Sequence, residues 1–173
     1  MAIKTDIAIN EKLWKKDANI SKKIKQLIKE IIPSTPLFIL KDVAKNIEIS
    51  VLLTGDEQIR ELNKNYRGKD QPTNVLSFPL LDGTKIKNGD FSNFQIDFGH
   101  LALGDIVVSY QTVRKESEQQ KKEFDDHLTH LLIHSLLHLI GFDHIFDADA
   151  KIMEELETEI LAGMGIRNPY EVL

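Results

Sequence analysis

His134, His138 and His144 are residues whose type and spacing could do metal chemistry, and they lie in the run HSLLHLIGFDH. Five of the chain's six histidines fall between residues 127 and 144, so the pattern is a local concentration rather than a scatter. Histidines four apart share one face of a helix, separated by about 6 Å of axial rise. Gly141 follows three residues after His138. Glycine accepts the left-handed backbone that ends helices, so the chain can turn there and bring His144 up against the pair. Three neutral imidazoles converging on one point suit a transition metal, foremost one Zn²⁺ ion. Structural zinc sites close with four protein ligands and usually include cysteine, and this chain has none. Three ligands leave one coordination position open, which points to a catalytic ion.

The spacing of the three histidines and the glycine equals that of the metzincin proteases, HExxHxxGxxH. The general-base glutamate of those enzymes is replaced here by Ser135. A hydroxyl has no useful basicity at neutral pH, so the peptidase reading lacks its base. His127 and His130 fall on the same helical face but one and two turns earlier, too far along the axis to share a tetrahedral ion with His144. They are read as supporting or substrate-facing groups, or equally as packing or solvent contact. Asp143 could orient an imidazole N–H or cap the turn after Gly141, and Asp105 in LGDIVV is a second acid that could support a ligand.

These residues need a scaffold, and the periodicities supply one. Residues 3–9, 46–53, 75–78 and 101–108 read as strands. Trp14, Ile20, Ile24, Leu27, Ile28 and Ile31 recur with helical period until Pro33. Thr54 and Glu57 form a capping-box pattern for a helix through Tyr66. Ser109 is expected to cap a helix reaching about Lys122. The histidines sit on a helix from about Phe124 to Ile140 that is apolar nearly all round, hence buried and central. A last helix starts at Asp147 or Asp149. Gly83 and Gly89 mark a loop or irregular hairpin through about residue 99. The expected fold is a single α+β domain over residues 1–173, with a mixed sheet of about four strands packed on the buried metal-bearing helix.

With 173 residues, 42% of them hydrophobic, the chain can bury a real core. No apolar stretch approaches a membrane span and the N-terminus lacks a signal-peptide core. The absence of cysteine suits a reducing compartment, so the chain is read as cytoplasmic. A formal net charge of −5 weighs against a nucleic-acid partner, but residues 1–30 carry eight lysines against four acids. Those lysines form either a phosphate-facing or an ordinary solvent face.

The stretches YRGKDQPTNVLSFP at 66–79, LGDIVVS at 103–109, HLTHLLIHSLLHLIGFDH at 127–144 and LETEI at 156–160 resemble the YbeY family of bacterial endoribonucleases, which mature ribosomal RNA. The family usually has Gly where Ser135 stands and Tyr where Phe142 stands. Ser135 would then narrow the approach of substrate, and Phe142 would lack a phenol donor. The resemblance implies a zinc-dependent single-strand endoribonuclease acting at the 3′ end of small-subunit ribosomal RNA and in ribosome quality control. It implies zinc on the three histidines, a functional arginine at Arg67, and ribosomal RNA with the ribosome or its associated proteins as partners. From the residues alone, Arg67 reads first as a surface cation at a helix C-terminus; the resemblance reverses that preference, and a guanidinium fork suits phosphate oxygens. The nucleophile is either water or the RNA's own 2′-hydroxyl. The alternatives are a zinc hydrolase of peptidase type and a non-catalytic, metal-stabilised ribosome assembly factor. Oligomeric state is not legible.

Overall fold

Alternating apolar residues build one mixed sheet, and the order of its strands decides where the histidines sit. The structure, a computed structural model, describes residues 1–42, 44–83 and 99–171. Strand β1 spans Ala2–Ile9, β2 Asn46–Thr54, β3 Val75–Pro79 and β4 His100–Ser109, in the spatial order β1-β2-β4-β3. The pairs β1–β2 and β2–β4 are parallel, and β3 runs antiparallel along the free edge of β4. Parallel neighbours need crossover connections. Helix α1 (Ile20–Ile31) makes the first, and α2 (Asp56–Arg67) followed by β3 makes the second. Helices α3 (Tyr110–Gln119), α4 (Phe124–Leu139) and α5 (Asp147–Gly163) follow β4. The expected α+β architecture and element order stand. The expected loop or hairpin at 84–98 lies outside the described residues. No helix among the described residues is long and apolar enough to cross a membrane.

The large core lies on one face of the sheet. Ile47, Ile49, Val51 and Leu53 of β2 pack there with Ile24, Ile28 and Ile31 of α1 and with Leu128, Leu132, Leu136 and Leu139 of α4. Helix α4 touches β3, β4, α1, α3 and α5, which makes it the central helix its sequence demands. A small cluster of Ile59, Leu76 and Val107 seats α2 on the opposite face.

Four local expectations change. Trp14 belongs to a separate 3₁₀ turn, Lys12–Lys16, because its indole is anchored on the Thr54 carbonyl at 2.9 Å before α1 begins. The Thr54–Glu57 pattern is not a capping box. Gly55 is the N-cap of α2, and the Thr54 hydroxyl donates instead to Gln58 at 2.7 Å. Ser109 occupies the N-cap position of α3 without capping it, since its hydroxyl donates to Asp56 Oδ1 at 2.6 Å. Helix α3 stops at Gln119 rather than near Lys122, because the left-handed Lys121 (φ 53°) turns the chain into α4.

One bulge sets the two faces of β4. Glu48 pairs with Ala102 and Ile49 with Gly104, so Leu103 is an extra residue in the ladder. Inward positions therefore switch from Leu101 and Leu103 to Ile106 and Val108, and Asp105 faces the α2 side with Val107. Gly104 makes the bulge possible. Its φ is 146°, and a Cβ there would come within 2.2 Å of the Phe78 carbonyl oxygen. Gly104→Ala is expected to cost about 2–4 kcal/mol, through backbone strain plus overlap. Urea denaturation checks this, and a variant as stable as the parent would refute the account of the bulge.

Candidate metal centre

Helix α4 places His134 and His138 one turn apart, and the chain then reverses as glycine allows. Gly141 adopts φ 96°, its amide donates to the His138 carbonyl at 3.0 Å, and the Phe142 amide reaches the Leu137 carbonyl at 3.1 Å. The turn packs against Gly83: a Cβ on Gly141 would lie 2.3 Å from the Gly83 carbonyl carbon. The chain after β3 thus leaves no room for a side chain at this corner. Beyond it, His144 returns to the helix pair, its ring centroid 5.0 Å from His138 and 5.5 Å from His134. One ring nitrogen from each of His134, His138 and His144 falls within 4.8 Å of the others, the arrangement of a group that could hold one metal ion.

Two of the rings have hydrogen-bond partners on the side away from the cluster. His138 Nδ1 lies 2.9 Å from the Phe142 carbonyl oxygen, which only accepts, so Nδ1 carries the proton. His134 Nδ1 lies 2.6 Å from Oε1 of Glu157. Burial alone would push the Glu157 carboxyl up, but hydrogen bonds from His130, His134 and Tyr170 outweigh it and hold it at about 2. Glu157 is therefore ionised at neutral pH and accepts from His134. Burial first, then the charges of the His134 and His144 rings, pushes His138 down to about 4, so it is neutral at neutral pH. His138 Nε2 must then present a lone pair, and it faces His134 Nε2 at 3.0 Å. Across a tetrahedral zinc with Zn–N distances of about 2.0–2.1 Å, the two nitrogens would stand ~3.3 Å apart. The donor set fits a metal ion.

A sequence profile of the family described as Endoribonuclease YbeY matches residues 9–165. The chain belongs to this family. It is 42% identical to the endoribonuclease YbeY of Bradyrhizobium diazoefficiens over 167 residues, covering 96% of this chain and 84% of that one. It is 53% identical to a Bradyrhizobium sp. endoribonuclease YbeY over 123 residues, covering 71% and 69%. The solution structure of a Thermotoga maritima protein aligns with a TM-score of 0.52 at 23% identity, covering 93% of this chain and 91% of that one. At that identity the likeness speaks for the fold alone.

Within this YbeY frame the other candidate residues find their places. Arg67 ends α2 and is exposed, and its Nη2 donates to the Ser77 carbonyl of β3 at 3.3 Å. Strand β3 is the one on which α4 rests. Among the described residues, Arg67 makes no hydrogen bond to the three histidines. At the two departures from the YbeY pattern, both side chains are buried. Ser135 is fully buried in α4, so it does not narrow the approach to the histidines as expected. Phe142 packs in the core and serves the site through its backbone carbonyl. Asp143 accepts from the backbone amide of His144 at 2.7 Å, so it shapes the turn rather than holding a ring. Asp105 supports no histidine, because the β4 bulge turns it to the sheet's other face. Among the N-terminal lysines, Lys23 is tied to Asp125 at 2.8 Å and Asp17 at 3.0 Å.

His127 and His130 each bond a different carboxylate. His130 Nε2 bonds Oε2 of Glu157 at 2.9 Å, and His127 Nε2 bonds Glu116 at 2.7 Å. Glu157 is the residue that sequence reading missed. Its one local signal is position: an acid on the α5 stripe that also presents Met153, Ile160 and Leu161 to the core.

Glu116 gives the site a pH-dependent neighbour. Burial raises its carboxyl, but hydrogen bonds from His127 and Asn74 prevail and hold it below its ordinary value of 4.5. A depressed carboxyl stabilises the fold above its unfolded value, and that contribution is lost as pH falls through the folded value. Between neutral pH and pH well below 4.5 the parent is expected to lose more stability than Glu116→Gln. Denaturation midpoints at both pH values check this, and parallel losses would refute it.

Proposed function

We propose that this chain is a zinc-dependent endoribonuclease that cleaves single-stranded ribosomal RNA, at the 3′ end of the small-subunit RNA, in ribosome maturation and quality control. It acts in the cytoplasm with the ribosome or its associated proteins as partners, as one domain. The observation that carries the reading is the convergence of one ring nitrogen from each of His134, His138 and His144 within 4.8 Å, with the His138 proton held on the opposite nitrogen by the Phe142 carbonyl. Membership of an endoribonuclease family supplies the substrate class. His134, His138 and His144 would hold the ion. When bound, zinc supplies Lewis acidity for a phosphate oxygen and lowers the pKa of water.

The chain's own residues do the rest. The His138–Phe142 and His134–Glu157 hydrogen bonds hold two rings in one orientation before any ion arrives, which removes reorganisation from the cost of binding. Arg67, always charged and exposed beside the strand that carries α4, supplies a planar fork for phosphate oxygens and offsets charge that builds in the transition state. The peptidase alternative is disfavoured by Glu157. A carboxylate bonded to the cluster, it is fully buried behind His134 rather than beside the open position.

The deciding experiment pairs metal analysis with cleavage of a structured RNA and of casein, using the His138→Ala protein as control for contaminating nuclease. Zinc-dependent RNA cleavage absent from the control supports the reading. Casein cleavage alone, or ribosome defects rescued equally by His138→Ala, would overturn it.

A further inference from the structure

Glu157 is a fully buried carboxylate, and no lysine or arginine pairs with it among the described residues. A buried charge is costly unless hydrogen bonds and an opposite charge compensate it. Three donors supply the hydrogen bonds. His134 Nδ1 takes Oε1 at 2.6 Å, while His130 Nε2 at 2.9 Å and the Tyr170 hydroxyl share Oε2. The compensating charge would lie across the His134 ring, where Nε2 faces His138. An acid, an imidazole and a cation in line make the arrangement by which proteins fix a ligand's tautomer and raise its basicity.

The third donor comes from the C-terminal segment, which is pinned in place. Lys122 Nζ donates to the Pro169 carbonyl at 3.0 Å, and the Tyr170 amide donates to Asn168 at 2.9 Å. The Tyr170 ring stands edge-on to His130, centroids 5.7 Å apart, and both line a cleft of about 1150 Å³ between the α3–α4 turn and the end of α5.

We propose that Glu157 is the positioning carboxylate of the metal centre and that Tyr170 clamps it, so that residues 168–170 help to set how tightly the three histidines hold their ion. This rests on reading those histidines as a metal site. Glu157 touches no substrate; it acts through His134.

The test measures Zn²⁺ affinity by chelator competition on the full chain with no RNA present, beside the ¹H–¹⁵N signal of the His134 Nδ1–H. Glu157→Gln keeps the shape and one acceptor but removes the charge. It is expected to weaken zinc binding by about 10–100-fold. Tyr170→Phe leaves the apolar packing intact and is expected to weaken binding about fivefold, the worth of one hydrogen bond, with a shifted His134 signal. A folded Glu157→Gln protein with unchanged zinc affinity would overturn the proposal. So would a Tyr170→Phe protein with parental affinity and an unmoved His134 signal. A wild type that binds zinc yet cleaves no RNA would overturn the function proposed above instead, while the affinities still decide this one.

Discussion

His138→Ala is expected to abolish metal binding and RNA cleavage together. His138 is the middle ligand of the cluster, one turn from His134 on α4 and 5.0 Å between ring centroids from His144. Removing it leaves two donors on an ion that prefers four partners, so affinity should fall by more than the roughly 10–100-fold typical of losing a mere supporting contact. Cleavage should fall by about 10³-fold or more, which is ~4 kcal/mol of barrier. Some stability goes too. The Phe142 carbonyl loses its imidazole donor, a cost of about 1–3 kcal/mol in a buried setting. The two effects separate by thermal melts with and without zinc. The wild type should gain stability from zinc by mass action, and the variant should not. Stoichiometric zinc in purified His138→Ala would remove this residue from the site.

Arg67→Ala is expected to keep the metal and lose the chemistry. The side chain is exposed and, among the described residues, its hydrogen bond is the 3.3 Å one to the Ser77 carbonyl, so stability should change by about 0.5 kcal/mol or less. Zinc content and affinity should match the parent, because Arg67 makes no bond to the histidines. Loss of a cation that meets developing phosphate charge should lower the cleavage rate by roughly 10²–10³-fold. Arg67→Lys restores the charge without the planar fork and should recover only part of the rate. Steady-state cleavage of a structured RNA by zinc-loaded proteins decides it, and an Arg67→Ala protein cleaving at the parental rate would exclude the residue from catalysis.

The clustering of His134, His138 and His144 was legible because its information is local. His134 and His138 need only a helix to meet, and Gly141 needs only its own backbone freedom to bring His144 back. The strands were legible for a similar reason, since Ile47, Ile49, Val51 and Leu53 alternate as a half-buried surface requires. Capping was misread where side chains had partners further away. The Thr54 hydroxyl went to Gln58, and Ser109 to Asp56, 53 residues earlier in the chain. Asp105 was misread because strict alternation puts it with Leu101 and Leu103, whereas the extra residue at Leu103 reverses that parity.

The sequence by itself determined a buried helix with histidines on one face, a turn after it, and four strands to carry it. Only the tertiary structure decided what holds those histidines still. Glu157 lies 23 residues from His134, Tyr170 a further 13 beyond, and the Phe142 carbonyl is aimed by a turn wedged against Gly83. Spacing along one helix follows from backbone geometry alone. A carboxylate from α5 reaches the His134 ring, and a phenol from the C-terminal segment reaches that carboxylate, only when α4 and α5 pack, and that packing is settled by the whole core at once.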